Sequence, residues 1–307
     1  MAYSFDSADG AERHETQYFE MFCNRGIYHQ GWTAVTRHST PWVVEPLASF
    51  DEDVWELYDT TTDWSQSRDL AAEMPEKLAE LKDLWLAEAR RYNVLPLDDR
   101  RIERFDSDLA GRPVLVRGNT QLLFGGMGRL SEASVINTKN RSHAVTAEIE
   151  VPASGVDGVI IAQGGAFAGW SLYAKEGKAR YCYNLLGLQH FIVGGESAVP
   201  PGTHQVRMEF SYDGGGLAKG GTVSLYLDGT KDGEGRVDAT VPLVFSADET
   251  ADIGRDGASP VSNEYTGATS GFTGRVNWVQ IDIGDDAEDA DHLITPEERL
   301  RVAMARQ

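Results

Sequence analysis

The part of this chain that most restricts its fold runs from Pro113 to Ile283, where short β-prone segments alternate with glycine-rich turns. Residues 143–151 are the clearest segment, because apolar and polar side chains alternate along it with the period of a half-buried strand. Similar segments follow at 158–163, 169–175, 180–186, 189–193, 204–212, 222–227 and 275–283. Many short strands with close turn signals, and no helical period between them, predict an all-β sandwich.

The first hundred residues show a different pattern. Tyr18, Met21 and Phe22 have the i, i+3, i+4 spacing of one helical face. Thr16 before them can cap a helix, so a short helix is predicted there. Residues 26–37 predict a hairpin that turns at a glutamine–glycine pair.

A longer helix is predicted from Pro75, because proline suits the first helical position. The apolar residues after it recur at close to the helical period: Leu78, Leu81, Trp85, Ala89 and Tyr92. With the hairpin, these helices predict a small antiparallel sheet with helices, an α+β fold.

The predicted organisation has three parts: an α+β subdomain over residues 1–104, a jelly-roll-like sandwich over 105–284, and an acidic linker with a terminal helix over 285–307. Thr295, Pro296 and Glu298 predict that last helix, because they form a capping box with proline at the first position. The acidic run lacks the regular spacing of a calcium loop, so it is interpreted as a solvated linker.

Three ordered motifs in the first hundred residues resemble the C-terminal subdomain of bacterial arylsulfatases, which belong to the formylglycine-type sulfatase family. The first comprises Gln17-Tyr18-Phe19-Glu20-Met21, Asn24-Arg25-Gly26-Ile27-Tyr28 and Gly31-Trp32. The second comprises Trp55-Glu56-Leu57-Tyr58-Asp59, Asp63 and Asp69-Leu70-Ala71, and the third is Tyr92-Asn93-Val94-Leu95-Pro96-Leu97-Asp98-Asp99-Arg100. Residues 206–229 resemble a concanavalin-type jelly roll. The resemblance implies the C-terminal portion of an arylsulfatase with an appended concanavalin-like sandwich, without the catalytic N-terminal part.

The family's chemistry requires residues that this chain lacks. Formylglycine sulfatases make their nucleophile from Cys or Ser in the motif C/S-x-P-x-R, and a bound calcium ion polarises the sulfate ester. Neither Cys23 nor Cys182 begins this motif, and the segment starting at Ser39 has Val43 where arginine is required. No catalytic, cofactor-binding or metal residues are therefore predicted here. Calcium and formylglycine are implied only for the complete family enzyme.

Several side chains have both a functional and a structural interpretation. Cys23 and Cys182 are interpreted as small buried residues rather than nucleophiles. Glu148 and Glu150 could form a glycosidase-like pair, but they share one strand face beside solvent. The glycine-rich run at 125–128 is interpreted as a turn rather than a phosphate-binding loop.

Histidines and tryptophans leave similar alternatives. Arg13, His14 or His29 could border the substrate cleft of a complete enzyme, whereas the structural interpretation is hydrogen bonding within the hairpin and helix. Trp170 and Trp278 could stack on sugar rings, although their apolar surroundings favour core packing.

The charge of the chain limits its partners. It has 48 Asp and Glu residues against 28 Lys and Arg residues, which gives a formal net charge of −20. Such a surface repels phosphate backbones, so nucleic acid is not expected as a partner. No apolar run reaches the length of a membrane span, and the N-terminus lacks the features of a signal peptide. The location therefore stays open, with a cytoplasmic one favoured.

Two functional hypotheses follow. The leading one is a segment of an arylsulfatase-like sulfuric ester hydrolase that completes the fold and cleft of the enzyme but is inactive alone. Its partners would be the missing catalytic part, in the same or a separate chain, and a sulfated aryl or carbohydrate substrate. The alternative is a stand-alone, non-catalytic carbohydrate-binding or interaction module, which a sheet face with aligned aromatic and polar groups would support.

Overall fold

The chain divides into two compact units, Met1–Arg101 and Ile102–Gln307. The computed structural model describes residues 5–6, 10–11, 13–40, 48–100, 104, 110–111, 115–284 and 292–295. The predicted boundaries after residues 104 and 284 stay a prediction. The acidic run and the predicted terminal helix lie outside the described residues, apart from Thr295.

The first unit is a four-stranded antiparallel sheet with strands in chain order and one helix on it. The strands are β1 (Thr16–Met21), β2 (Asn24–His29), β3 (Trp32–Thr36) and β4 (Trp55–Asp59), and the helix is α1 (Pro75–Arg91). Strand register aligns Ile27, Ala34 and Leu57 in one row across the sheet. They form one buried cluster with Leu81, Trp85 and Ala89 of the helix. The hairpin β2–β3 and helix α1 follow the sequence prediction closely.

The short helix predicted around Tyr18 is wrong, because this segment forms edge strand β1. Tyr18 pairs with Ile27 and contributes to the buried cluster, whereas Phe19 is exposed. The apolar pattern of residues 18–22 is too short to distinguish the period of a helix from that of a strand. The segment forms a strand because it pairs with β2. Among its described residues the first unit thus has a single α-helix, and the several helices of the predicted subdomain are not seen.

The second unit is a jelly-roll-like β-sandwich of two antiparallel sheets. The five-stranded sheet has the order β10-β9-β8-β7-β14, and the six-stranded sheet has the order β13-β12-β11-β6-β15-β5. Their strands are β5 (Thr120–Phe124), β6 (His143–Val151), β7 (Gly158–Gly164), β8 (Gly169–Lys175), β9 (Lys178–Leu185), β10 (Gln189–Ala198), β11 (Gly202–Tyr212), β12 (Lys219–Leu227), β13 (Thr230–Ala239), β14 (Ala251–Ile253) and β15 (Arg275–Ile283).

The core of the sandwich lies between these sheets. Val145, Ala147 and Ile149 of β6 point into it, as their alternation predicts. Trp170 and Tyr181 from the five-stranded sheet are fully buried there, and their rings stack with centroids 6.4 Å apart. The sandwich predicted from the sequence is therefore confirmed. In the described parts of the chain, no helix is long and apolar enough to cross a lipid bilayer.

Candidate functional site

The clearest candidate site is an open cleft of about 470 Å³ at one edge of the sandwich. It lies where three chain segments meet: the turn after β5, the turn after β14, and the segment leading into β15. Its lining residues are Gly125, Gly126, Ile253, Gly254, Arg255, Phe272, Gly274, Arg275 and Val276. This volume falls in the range of small-molecule binding sites, which is roughly 300–1,000 Å³.

Sheet topology brings the segments together, because β5 and β14 are the edge strands of the two sheets. The Gly126 N–H donates to the Ile253 carbonyl at 3.4 Å, which connects the two edges. The Phe272 N–H donates to the Gly254 carbonyl at 2.9 Å, which attaches the third segment. The cleft is thus built on backbone hydrogen bonds between the sheets.

Glycine leaves part of the cleft surface without side chains. Gly126 and Gly254 have φ values of +85° and +86°, where residues with a side chain are disfavoured. No heavy atom lies within 4 Å of the position that a Cβ would take at either residue. A ligand can therefore approach the bare backbone at both positions.

The charged groups of the lining are two arginines. Arg255 is exposed, and it makes no side-chain hydrogen bond or ion pair with any other residue that the structure describes. Arg275 is 74% exposed, and its Nη1 lies 3.9 Å from Glu150 Oε1, a distance typical of a weak surface pair. No acidic side chain is among the residues that line the cleft. Two positive groups therefore face a site that has no negative charge of its own.

The carboxylate of Asp252, close to the cleft, accepts hydrogen bonds from the protein itself. It is buried, and it accepts the Arg129 N–H at 2.7 Å and the Gly257 N–H at 3.2 Å. It forms no ion pair within 4 Å of a described basic side chain. It therefore connects the segment after β5 with the turn after β14.

Phe272 provides the aromatic part of the lining. Its ring is half-buried and packs against the core of the sandwich. Its N–H bond to Gly254 holds it next to the glycine-lined surface. An aromatic ring beside polar groups is a surface on which the apolar face of a sugar ring can pack.

The outer face of the six-stranded sheet carries aromatic and polar groups, but the chain itself occupies it. The His292 ring stacks on Tyr226 at 4.0 Å between centroids, and His292 Nδ1 lies 2.7 Å from a carboxylate oxygen of Glu209. The Gln205 side chain donates to the Ile294 carbonyl and accepts the Ile294 N–H. This face is therefore covered at Tyr226, whereas Phe124 of β5 is 48% exposed.

The outer face of the five-stranded sheet carries a half-buried ionic network. Glu264 accepts hydrogen bonds from the Tyr173 hydroxyl at 2.5 Å, from Arg180 Nη1 at 2.6 Å and from Lys175 Nζ at 3.3 Å. Burial raises the pKa of Glu264, but the hydrogen bond from Tyr173 and the charge of Arg180 outweigh it and hold the pKa below its usual value. Both cations of this network bond to the single carboxylate of Glu264, so these groups connect β8 and β9 to the segment around Glu264.

The side chains weighed in the sequence lie apart from the cleft lining, except where Glu150 meets Arg275. Glu148 accepts a hydrogen bond from Asn277. Cys23 and Cys182 are both free and buried. Burial raises the pKa of the Cys182 thiol to about 12, so it is protonated at neutral pH.

The histidines and tryptophans have structural contacts. His14 lies 2.9 Å from Gln17, and His29 lies 2.8 Å from Thr16, so both bond within the first hairpin. Trp170 is in the core, with its Nε1 donating to Gln163 at 3.0 Å, and Trp278 is only 4% exposed. Neither tryptophan offers a face for stacking a ligand. Within the described residues, no group of three or more His, Cys, Asp and Glu could hold a metal ion.

Part of the glycine-rich run at 125–128 lines the cleft. The run at 125–128 was interpreted as a turn, and it is the turn that follows β5. The signal that could have drawn attention to the site is a second glycine–arginine turn at Gly254 and Arg255. Nothing in either segment indicates that they meet.

Comparisons with known proteins give no family for the chain: no protein-family model and no curated protein matches it. Among solved structures it is similar to a native heptameric SAP-like pentraxin from Limulus polyphemus, with 15% identity, 57% of this chain and 79% of that chain covered, and a TM-score of 0.33. It is also similar to the IT-sialidase CBM40 of Ruminococcus gnavus, with 13% identity, coverages of 57% and 96%, and a TM-score of 0.37. Domains LG4-5 of the mouse laminin alpha1 chain give 16% identity, coverages of 58% and 42%, and a TM-score of 0.33. Similarities this low do not bear on the ligand of this chain.

The assignment to the arylsulfatases is wrong. No sulfatase model or curated sulfatase matches the chain, none of the three similar structures is a sulfatase, and the first motif forms a strand where a helix was expected. The motif residues have local structural roles instead. Asp63 accepts the N–H groups of Ser67 and Arg68 in a turn, and Asp69 accepts the Leu57 N–H. The hydrolase function, the calcium ion, the formylglycine and the catalytic partner that this assignment implied lose their basis with it.

Proposed function

We propose that the β-sandwich is a non-catalytic carbohydrate-binding module, and that the cleft between edge strands β5 and β14 is its binding site. The observation that carries the proposal is an open cleft whose lining combines bare glycine backbone, an aromatic ring and two exposed guanidinium groups. This combination suits a saccharide, which presents hydroxyls along its edge and C–H groups on its ring face.

Each part of the lining has a role in this proposal. Phe272 would pack against the C–H face of a sugar ring. Arg255 and Arg275 would donate to hydroxyl or ring oxygens, since a guanidinium carries five donors in a fixed planar arrangement. The bare backbone at Gly126 and Gly254 would let the sugar approach closely.

The same lining supports binding without catalysis. Hydrolysis of a glycosidic bond ordinarily uses a pair of carboxyl groups on either side of the bond. The residues that line the cleft include no Asp, Glu, His or Cys. A bound saccharide would therefore meet hydrogen-bond donors and an aromatic ring, but no acid–base pair.

Nuclear magnetic resonance of the full chain tests the proposal. Neutral and charged oligosaccharides are titrated into labelled protein, and the amide signals of Gly126, Gly254 and Gly274 are followed. Saturable shifts centred on these glycines are the expected result. Shifts centred on another surface, or none with any saccharide, would overturn the proposal.

A pair of phenylalanine variants provides the matched control. Phe272→Ala removes the aromatic part of the cleft and is expected to weaken binding about tenfold. Phe167→Ala removes a 74% exposed phenylalanine in the turn between β7 and β8 and is expected to leave binding unchanged. Thermal unfolding of both variants shows whether the fold is retained.

A further inference from the structure

We infer that the cleft selects saccharides that carry an anionic group, a carboxylate or a sulfate ester, and that Arg255 binds this group. The inference rests on the proposed carbohydrate-binding function and specifies the class of its ligand. It depends on the charges around the cleft and on which of them the protein already neutralises.

Arg255 makes no ion pair within 4 Å of a described carboxylate, and unlike Arg117 and Arg129, which also lack such a pair, it lines the cleft. The chain has 48 acidic residues to 28 lysines and arginines, and other arginines of the sandwich are paired, such as Arg180 with Glu264 and Arg236 with Asp213. Arg255 makes no such pair with any described residue. An arginine left unpaired in so acidic a chain, at the wall of a cleft, is free to bind an anion from solution.

Arg275 supplies a second positive group. Its pairing with Glu150 spans 3.9 Å, and both side chains are largely exposed, at 74% and 47%. Exposed pairs of this kind contribute little and exchange readily with solvent. Arg275 can therefore turn toward a bound anion without exposing a buried carboxylate.

The chemistry of guanidinium favours carboxylates and sulfate esters in particular. Two parallel N–H groups match two oxygens of a planar carboxylate or of a tetrahedral oxyanion, and such charge-assisted bonds are stronger than neutral ones. The lining residues carry no carboxylate that would repel the ligand. An anionic group would thus gain an interaction that a neutral sugar cannot make.

The overall charge of the chain restricts which anions can enter. A long polyanion would extend beyond the cleft over a surface with a net charge of −20 and be repelled by it. For a single anionic group in the cleft, charges more than about 8–10 Å away are screened at physiological salt. The carboxylates that lie nearer are Glu150, which is exposed beside Arg275, and Asp252, which is buried and accepts backbone N–H groups. The geometry therefore suits a small charged oligosaccharide and disfavours nucleic acid.

The test uses three ligands built on one sugar: lactose, sialyllactose with a carboxylate, and sulfated lactose. Calorimetry with the full chain measures their affinity for the wild type, Arg255→Gln, Arg275→Gln and the control Arg236→Gln. Arg236 is also an exposed arginine of the sandwich, but it is paired with Asp213 outside the cleft.

The expected result is tighter binding of at least one anionic ligand than of lactose by the wild type. Arg255→Gln should weaken that binding about tenfold or more, Arg275→Gln by a smaller factor, and Arg236→Gln not measurably. Comparison of the two charged ligands shows whether the carboxylate or the sulfate ester is preferred. Since Arg255 is exposed and unpaired, its variant should fold normally, which circular dichroism checks.

Failure of the inference can be distinguished from failure of the proposed function. If neutral saccharides shift the cleft amides and bind as tightly as charged ones, the cleft binds carbohydrate but the charge selection is wrong. The same conclusion follows if charged ligands bind equally well to Arg255→Gln. If no saccharide of either kind shifts the cleft amides, the proposed function fails and the inference fails with it.

Discussion

Two arginines, one in each unit, show how differently the same side chain is used. Arg25 in the first unit is almost fully buried, forms an ion pair with the buried Asp53, and lies against the rings of Phe50 and Trp55, each 5.4 Å from its guanidinium carbon. Arg255 in the sandwich is exposed and has no partner among the described residues. The first arginine is part of the structure, and the second is available to a ligand.

The comparison gives a rule for reading charge in this acidic chain. Where the structure satisfies a charged group, as at Arg25 and Glu264, removing the group should reduce stability. Where it leaves the group unsatisfied at an open surface, as at Arg255, removing it should affect binding alone.

The largest effect is expected from Arg25→Ala. The substitution leaves the buried carboxylate of Asp53 with His38 Nδ1, at 2.9 Å, but without its guanidinium partner, and breaking a buried pair costs up to about 3–5 kcal/mol. Loss of the contacts with Phe50 and Trp55 adds to the effect. Hydrogen exchange in strands β2, β3 and β4 should show earlier opening of the first unit.

Arg68→Ala is the matched control in the same unit. Arg68 and its partner Glu73 are 70% and 56% exposed, so their pair should be worth under about 1 kcal/mol. If Arg25→Ala proves no more costly than Arg68→Ala, the buried pair does not stabilise the first unit and the rule loses its main support.

His143 is a buried basic group without a counter-charge, and its pKa shift from 6.5 to about 4 corresponds to a pH effect of roughly 3 kcal/mol. Burial lowers its pKa from 6.5 to about 4, so the unfolded chain takes up a proton more readily than the folded one in this interval. The free energy of unfolding should therefore be fully retained above about pH 6.5 and fall as the pH drops toward 4. Denaturant unfolding across this interval measures the effect.

The contribution of His143 is separated from that of the many carboxylates by the variant His143→Gln. Glutamine can keep the hydrogen bond to the Arg141 carbonyl, which the His143 Nδ1 now makes at 3.2 Å, but it takes up no proton. The variant should lose less stability than the wild type over the same interval. Parallel curves for the two proteins would contradict the prediction.

Glu264→Ala should lower the free energy of unfolding of the sandwich by about 1.5–3 kcal/mol, because it removes the partner of Arg180, Lys175 and the Tyr173 hydroxyl. The stabilisation by Glu264 should be lost as the pH falls below 4.5, since its pKa is lower in the folded chain than its usual value. The control Glu234→Ala removes an exposed partner of Lys231 and should change stability far less. Equal effects would mean that the network is not stabilising.

Some elements of the fold could be predicted from the sequence alone. The strands at 143–151, 169–175 and 275–283 were predictable because each is an uninterrupted β-prone segment between turns, and they are β6, β8 and β15. Helix α1 was equally predictable from its proline and its apolar face. Periodicity identifies α1, which buries one face, whereas β8 is identified by its β-prone residues between turns, because both of its faces are buried.

Strand β13 was not predicted, because close packing against β10 requires glycines at positions where a strand usually has larger residues. It contains Gly233 and Gly235, which read locally as turn residues. A Cβ on Gly233 would lie 2.4 Å from the carbonyl oxygen of Gly194, and one on Gly235 would lie 2.5 Å from a methyl of Val193. The glycines are needed because β13 and β10, from different sheets, approach closely at this edge.

The cleft could not be predicted from one sequence for a related reason. Its three segments, at 125–126, 253–255 and 272–276, are joined by the positions of β5 and β14 at the edges of the two sheets. No spacing or motif encodes that arrangement. The unpaired state of Arg255 is likewise a property of the folded chain, because only the fold determines which carboxylates come within reach.

The smallest effect on stability is expected from Arg255→Ala, and it tests the comparison with Arg25 most directly. A guanidinium without a partner contributes little, so the free energy of unfolding should change by less than about 0.5 kcal/mol. Denaturant unfolding of the variant beside wild type measures this, with Arg275→Ala as a second exposed arginine of the cleft. A loss above about 1 kcal/mol would reveal a structural role for Arg255. Unchanged stability combined with lost affinity for a charged saccharide would instead separate the two uses of arginine, because only a group that the fold does not need can be removed at the cost of binding alone.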